Sequence, residues 1–513
     1  MRYCLIALVA LSAVAGFTAE SGPSVAEAVM RQDRAALRSL IERKADVNAP
    51  LVDGSTALHW AVENDDADAI EMLLHSGAIP DAKDRYGLTP LYYASSNGNA
   101  AIVQDLLKAG ANPNAANKEG DTALMAAARA GNPEAITALL GHDAAVNAKD
   151  ALAQQTALMW AVRANHAAAA QALLAHGADV NARTRMGKAP ERRLPLAGGG
   201  PGNGSHGTGI VRGGWPERGV QDAIPGGMSP LLYAARDGRL DSARLLVAAK
   251  ADVNQTEANG IAPLLMAITN DHVDVARFLL DQGGGVNTAD WWGRTPLWAA
   301  VELRNRDMGR GGEHDIDRGA ALEMINTLIE RGANVNARTK EYPPIRRWVT
   351  PLNDISWVDF TGQTPFLRAA LSGDITVMRL LLEKGADPNI PTFAGTTALM
   401  AAAGVNWAEN QTYTESKESL MEALKLCFEK GADVNAKNSM GVTAVIGAAN
   451  RGSDDMLEFL VQKGAKLDVK DNEGRTPLVW AGGVFLATNP PEEKPSTMAL
   501  IKKLMENKTA ANE

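Results

Sequence analysis

Residues 87–119 read GLTPLYYASSNGNAAIVQDLLKAGANPNAANKE, and this stretch decides the fold. Thr89 is placed to cap a first helix, and Pro90 follows at its first position, where the missing N–H costs nothing. The polar turn Asn97-Gly98-Asn99 then reverses the chain. A second helix follows with apolar residues at helical spacing, as Ile70, Leu73 and Leu74 show one period earlier and Val275, Leu279 and Leu280 show later. Gly110 suits a left-handed cap at its end. The connection into Gly120 is polar and rich in Asn and Gly, which predicts a tight hairpin.

The same unit starts again at Gly54, Gly120, Ala153, Gly227, Gly260, Gly293, Gly362, Gly395, Gly441 and Gly474. Seven of the ten spacings are 33 residues, and the other three are longer, as insertions into a fixed unit would make them. One helix pair cannot bury its apolar stripe alone. Stacked copies bury it against each other, which dictates a solenoid.

The 33-residue period, the Thr-Pro-Leu start and endings such as Gly177-Ala-Asp-Val-Asn-Ala182 resemble the ankyrin repeat. The resemblance implies a mainly α fold: an ankyrin-repeat solenoid of stacked helix pairs with β-hairpin connections. About eleven repeats are expected, after an N-terminal capping half-repeat at Ser24–Ala49 with a Ser24/Glu27 capping box. The family pattern places a His after Thr-Pro-Leu to bridge turn and helix, and only His59 keeps it. Packing by Tyr92, Met125, Met159, Leu232, Leu265, Trp298, Leu367, Met400, Ile446 and Val479 must replace that link elsewhere.

Residues 24–186 and 227–508 are therefore expected as repeat arrays, separated by a Gly/Pro-rich insert at 187–226. Gly202, Gly204 and Gly207 form a GxGxxG there, but no strand-to-helix context accompanies it, and a flexible loop or a partner-contacting loop anchored by Ile210 and Trp215 reads better. Further inserts are expected near 304–318, 340–361, 405–417 and 485–495. Glu313, His314, Asp315 and Asp317 read as a solvated charged loop, since no second ligand cluster is near. The 340–361 insert carries Tyr342, Trp348 and Trp357 among Pro and Arg, residues suited either to local packing or to an interface.

Composition narrows the function. The chain has 513 residues, 46% hydrophobic and 22% charged, with a net charge of −9. That balance argues against nucleic acid, which needs clustered Lys and Arg. Arg2 followed by the apolar run Cys4–Val14 and the small-x-small Ala13-Val14-Ala15 reads as a signal peptide at 1–15, with a cut after Ala19 as the alternative and an uncleaved anchor or buried helix as other readings. Export gives a periplasmic or secreted protein of bacterial type, with no membrane insertion after signal removal. Removal of Cys4 leaves Cys427 alone, so no internal disulfide forms, and its helical run Leu420–Glu429 makes it a core filler.

No HExxH, GxSxG, CxxC or zinc-type Cys/His spacing occurs, and the eight His are scattered. Neither catalytic, metal nor cofactor residues are expected. The resemblance implies a monomeric binding module that takes a protein or extended peptide on the concave face of fingers and first helices. The position after the His slot points there, and Trp60, Tyr93, Trp160, Tyr233 and Arg368 occupy it. Four of its first five occupants are Trp or Tyr in a chain with 5% aromatics, so either an exposed line or packing between first helices is expected. Trp291 and Trp292 sit at a hairpin tip. An accessory subunit of an exported enzyme, or a host-directed secreted effector with specificity in the inserts, is the alternative.

Overall fold

The structure is a computed structural model that describes residues 23–187, 226–306, 316–340, 358–359, 361–406, 415–484 and 492–510. The expected signal segment, the bulk of the inserts, and Tyr342, Trp348 and Trp357 lie outside the described residues.

Among the described residues the chain alternates short first and second helices from Val25–Met30 to Pro495–Ala510, and it forms no strand. Thr or Ser starts the first helices as the sequence suggests, except Pro263–Thr269, which follows Ala262. Ser229 Oγ accepts the Leu232 N–H at 3.3 Å and Thr364 Oγ1 that of Leu367 at 3.2 Å. The capping box of helix Val25–Met30 is closed by both of its reciprocal bonds. The core is the seam between consecutive helices, where Leu73, Leu106, Leu139, Leu173, Leu246 and Leu279 are fully buried at corresponding places.

The chain divides into two compact units, Met1–Leu152 and Ala153–Glu513. Within each, two sets of bonds tie repeat to repeat. At the ends of second helices, an Asn in the Asp-Val-Asn-like segment clamps the next repeat. Asn254 Nδ2 donates to the Gly283 carbonyl at 3.2 Å while its Oδ1 accepts the Gly285 N–H at 2.8 Å. Asn48, Asn114, Asn287, Asn336 and Asn435 make the same pair of bonds. The carbonyl is offered where Gly283 adopts φ 88, a left-handed conformation that a side chain would strain.

The connections differ from the expected β-hairpins. Where no insert interrupts them they are five-residue fingers, such as Asp84–Leu88, and the one β-bridge among the described residues joins Ala116 and Thr122. A side chain does the work of a ladder. Asp84 Oδ1 accepts the N–H groups of Tyr86 and Leu88 at 2.9 and 2.8 Å, while Asp84 N–H donates to the Leu88 carbonyl at 3.0 Å. Fingertip N–H groups donate to the finger before them, as Trp291 does to the Asn259 carbonyl at 2.8 Å and Lys340 to that of Trp292 at 2.7 Å.

The insert roots are closed. Across residues 188–225, Thr184 N–H donates to the Met228 carbonyl at 3.0 Å and Met228 N–H to Thr184 Oγ1 at 2.9 Å. Thr339 and Gln363 repeat this pair, each bond 3.0 Å, across 341–357. Between helices, Arg304 Nη1 donates to the Arg318 carbonyl at 2.6 Å and Arg318 Nη1 returns a bond to that of Arg304. Of the expected charged loop, Asp317 is described, and it caps its helix by accepting the Ala320 N–H at 2.9 Å.

Two stability outcomes follow. Leu279→Ala should destabilise by about 2–5 kcal/mol, read by chemical denaturation, since Leu279 is wholly buried in a helix seam. A loss below about 0.5 kcal/mol would contradict the seam. Asp81 stands where other repeats have the clamping Asn, and its carboxylate accepts the Asn112 N–H at 2.8 Å but cannot donate. Asp81→Asn should therefore raise stability by about 0.5–1.5 kcal/mol, the worth of one added hydrogen bond.

Candidate functional site

In each unit the residues expected to contact a partner lie on the fingers and first helices. In the first unit the Trp60 indole N–H donates to Ser55 Oγ at 2.9 Å, and Ser55 Oγ donates to Asp53 at 2.6 Å. That hydroxyl bond holds the Asp53 carboxyl below its ordinary range. Tyr93 OH donates to Asp84 Oδ2 at 2.9 Å, and its ring meets His59 edge-on at 5.8 Å. Both aromatic side chains are half-buried, fixed to their own finger.

His59 joins two repeats. The Thr56 N–H lies 3.1 Å from its Nδ1, and because that N–H can only donate, Nδ1 accepts. The proton then sits on Nε2 and reaches the Leu88 carbonyl of the next finger at 3.2 Å. Burial lowers the His59 pKa. In the other repeats buried apolar side chains fill the slot, among them Met125, Met159, Leu232, Leu265, Leu367, Met400 and Ile446, whereas Val479 is half exposed at 49%.

In the second unit the Arg163 guanidinium lies over the Trp160 ring at 4.8 Å and over the Tyr233 ring at 5.3 Å. Arg236 covers Tyr233 at 4.8 Å and pairs with Asp237 at 2.7 Å. Gln155 ties the cluster, donating to Tyr233 OH at 2.7 Å and accepting from Arg163 Nη1 at 3.3 Å. Trp291 and Trp292 pack edge-to-face at 5.6 Å, both half-buried, with Arg294 over Trp292 at 5.3 Å.

Two expected contact residues are not offered to solvent. Tyr233 is 5% exposed, because arginines lie against its ring and Gln155 takes its hydroxyl. Arg368 is 8% exposed, paired with Glu302 and donating to Ser372 Oγ and the Asn305 carbonyl, each at 2.8 Å. Trp60, Tyr93, Trp160, Trp291 and Trp292 remain half-buried on the face. Sequence reading missed the fingertip side chains Val52, Tyr86, Leu152, Met186 and Phe393, which are more than half exposed. It also missed Arg163 and Arg236, whose signal was their place three residues after Trp160 and Tyr233, one helical turn on.

Cys427 is buried, which pushes its thiol up to about 12, as befits a core filler. His75, His142 and His176 each sit within 2.9 Å of a carbonyl one turn back in their own helix. Among the described residues no group of three His, Cys, Asp or Glu converges as a metal site, and no helix is long and apolar enough to cross a membrane.

Stacked helix pairs with clamped fingers define a helical repeat protein whose open face is a surface rather than a pocket. Models of ankyrin repeats match residues 25–117, 97–184, 231–339 and 414–483, and a single-repeat model matches 361–390. The chain belongs to the ankyrin-repeat family, whose repeats are protein–protein interaction modules and typically not enzymes. Ankyrin repeat domain-containing protein 46 of Rattus norvegicus and that of Mus musculus are each 42% identical over 127 residues, 24% of this chain and 49% of theirs. The chain thus spans about half the length of these curated relatives. The solved ankyrin repeat domain of Bcl-3, described as a unique member of the IkappaB protein family, is 25% identical with a TM-score of 0.38, over 48% of this chain and 94% of that one.

The His59 bridge predicts a pH response. Its folded pKa lies below that of the unfolded chain, so its stabilising contribution is complete above the unfolded value near 6.5 and is lost as pH falls through the folded value. Thermal melts between pH 7.5 and 5 should fall more steeply for the native chain than for His59→Met, which cannot titrate. Equal acid slopes would show that another group governs.

Proposed function

We propose that this protein is an interaction scaffold that takes a protein or an extended peptide on the face of fingers and first helices, and that it acts outside the cytoplasm, in a periplasm or after secretion. One observation carries the binding surface: half-buried Trp160, Trp291 and Trp292 share the second unit's face with Met186 and Phe393, 55% and 54% exposed. Aromatic residues fixed by stacking and half open to solvent supply contact area at small entropic cost. A specific protein complex needs only about 800 Å² on each partner, well within the reach of several fingers. Export rests on the apolar, singly basic start of the sequence through Ala15.

A second reading has its own support. The inserts leave fingers that are already closed at their roots by Thr184 and Met228 and by Thr339 and Gln363, so insertion leaves the repeat geometry intact. Inserts carried in this way suit an accessory subunit of an exported enzyme or a secreted effector, with specificity in the inserted residues.

Cross-linking and recovery from the producing cell's periplasmic and extracellular fractions tests both parts. The recovered chain should begin at Gly16, and the partner it brings should be reduced at least tenfold by Trp160→Ala combined with Trp291→Ala. Recovery of the full chain from the cytoplasm with Met1 intact would end the export reading. Undiminished partner recovery would remove the face, and loss of the partner on deleting residues 188–225 alone would favour the second reading.

A further inference from the structure

The chain as a whole is acidic, at −9, yet the face of the second unit from Gln155 to Lys340 has the opposite character. Its carboxylates are engaged internally. Glu257 is 3% exposed and holds the Asn259 and Ile261 N–H groups of its own finger at 2.8 and 3.1 Å. Asp290, also 3% exposed, accepts from Arg294 at 2.7 Å. Asp237 is taken by Arg236 and Glu302 by Arg368. Arg185 and Lys340 are exposed at fingertips, and Arg185 N–H bonds to the Ala153 carbonyl at 2.8 Å, which sets it on the finger beside that of Gln155.

Arg163 is the distinctive member. Among the described residues no carboxylate pairs with it, and its one side-chain bond is from Nη1 to the neutral Gln155 oxygen at 3.3 Å. It is nevertheless held still by the Trp160 and Tyr233 rings, and Gln155 is itself fixed by Tyr233 OH at 2.7 Å. A guanidinium has five N–H donors in a planar fork that matches a carboxylate. Here one donor is used, and the stacking has already restricted the rotamers that binding would otherwise have to order. Half-buried Trp160 on the same helix and exposed Met186 on the adjacent finger add apolar surface.

We propose that the second unit's face takes an acidic, extended segment of a partner protein, with an Asp or Glu side chain docked on Arg163 between Trp160 and Tyr233. The proposal rests on the interaction reading above and gives that reading its partner chemistry. Carboxylate is favoured over nucleic-acid phosphate because one fork in a stacked site selects a single planar anion, whereas a polyanion needs a row of free cations and an acidic chain repels it.

The full chain is titrated by fluorescence anisotropy with a fluorescein-labelled, C-terminally amidated peptide in which Glu alternates with Leu. The same peptide with Gln for Glu, a Gln peptide with a free C-terminal carboxylate, and an oligothymidylate serve as the other arms. The Glu peptide should bind, more weakly as salt rises, and at least tenfold more tightly than every other arm. Arg163→Gln should weaken it at least tenfold, Arg163→Lys should fall between, and Arg244→Gln, on the second-helix surface, should change nothing. Should Arg163→Gln lower the melting temperature, Arg163→Lys carries the comparison instead.

Equal binding by Arg163→Gln and the native chain, equal binding of Gln and Glu peptides, or no binding of the Glu peptide at low salt would overturn the proposal. Preference for the free C-terminus or for oligothymidylate would overturn it in favour of those ligands. If a partner recovered from cells depends on Trp160 and Trp291 but ignores Arg163→Gln, this proposal fails while the interaction reading stands. If no recovered partner depends on the face, the interaction reading itself fails.

Discussion

The two hydrogen bonds of a single asparagine amide set the frame on which the rest of the chain hangs. Asn254 donates to the carbonyl of Gly283 and accepts from the N–H of Gly285, so it can close only when the next helix pair delivers both groups to one place. An amide is the one small side chain that can donate and accept at this spacing, which is why Asp at position 81 makes half of the clamp. Each clamp is exposed and worth on the order of 1 kcal/mol, but it repeats along the stack, and in a structure whose units touch only their neighbours such interface terms add.

This constraint explains where the sequence tolerates extra residues. The partner of Asn254 lies 29 residues on, that of Asn287 lies 45, that of Asn336 lies 49 and that of Asn181 lies 69. The donor and acceptor roles are the same in all four. Insertion is therefore absorbed at the fingertips or between first and second helices, never at the edge that carries the clamp. Closed roots such as the Thr184–Met228 and Thr339–Gln363 pairs let long segments leave and return without moving the register. The fingertips and the turns between first and second helices are thus the places free to vary, and the half-buried Trp291 and Trp292 sit at one such fingertip.

The period, the caps and the apolar seam were legible because they are local: Thr89, Gly110 and Leu279 act within one unit, and a 33-residue repeat writes each of them many times. The face was only partly legible because its chemistry is set across units. Tyr233 is a good contact candidate until Gln155, 78 residues earlier in sequence, and Arg163 close over it. Arg368 is a charged residue in a binding position until Glu302 and the Asn305 carbonyl neutralise and enclose it. The fingers were misread for a different reason. Asn and Gly clusters signal a tight hairpin, but the turn is held by a side-chain acceptor such as Asp84 rather than by a strand ladder, which composition alone does not anticipate.

The same cross-unit logic separates the charges that hold the fold from those that can meet a partner. Arg304 is 11% exposed and reaches Asp374 at 2.9 Å and Glu415 at 3.4 Å, joining three consecutive helix pairs. Asp374 is fully buried and also accepts from Asn305 Nδ2 at 3.0 Å and from the Val377 N–H at 3.2 Å. Removing one member would strand a buried charge, so these ions have no freedom to bind anything else. Arg163 is built in the opposite way. It is immobilised by rings and an amide, which fix its position without neutralising it. Other arginines stacked on rings, such as Arg236 and Arg294, also hold a carboxylate, Asp237 and Asp290, so a ring contact alone does not keep a charge free; at Arg163 the rings and the Gln155 amide fix the guanidinium and no carboxylate among the described residues neutralises it.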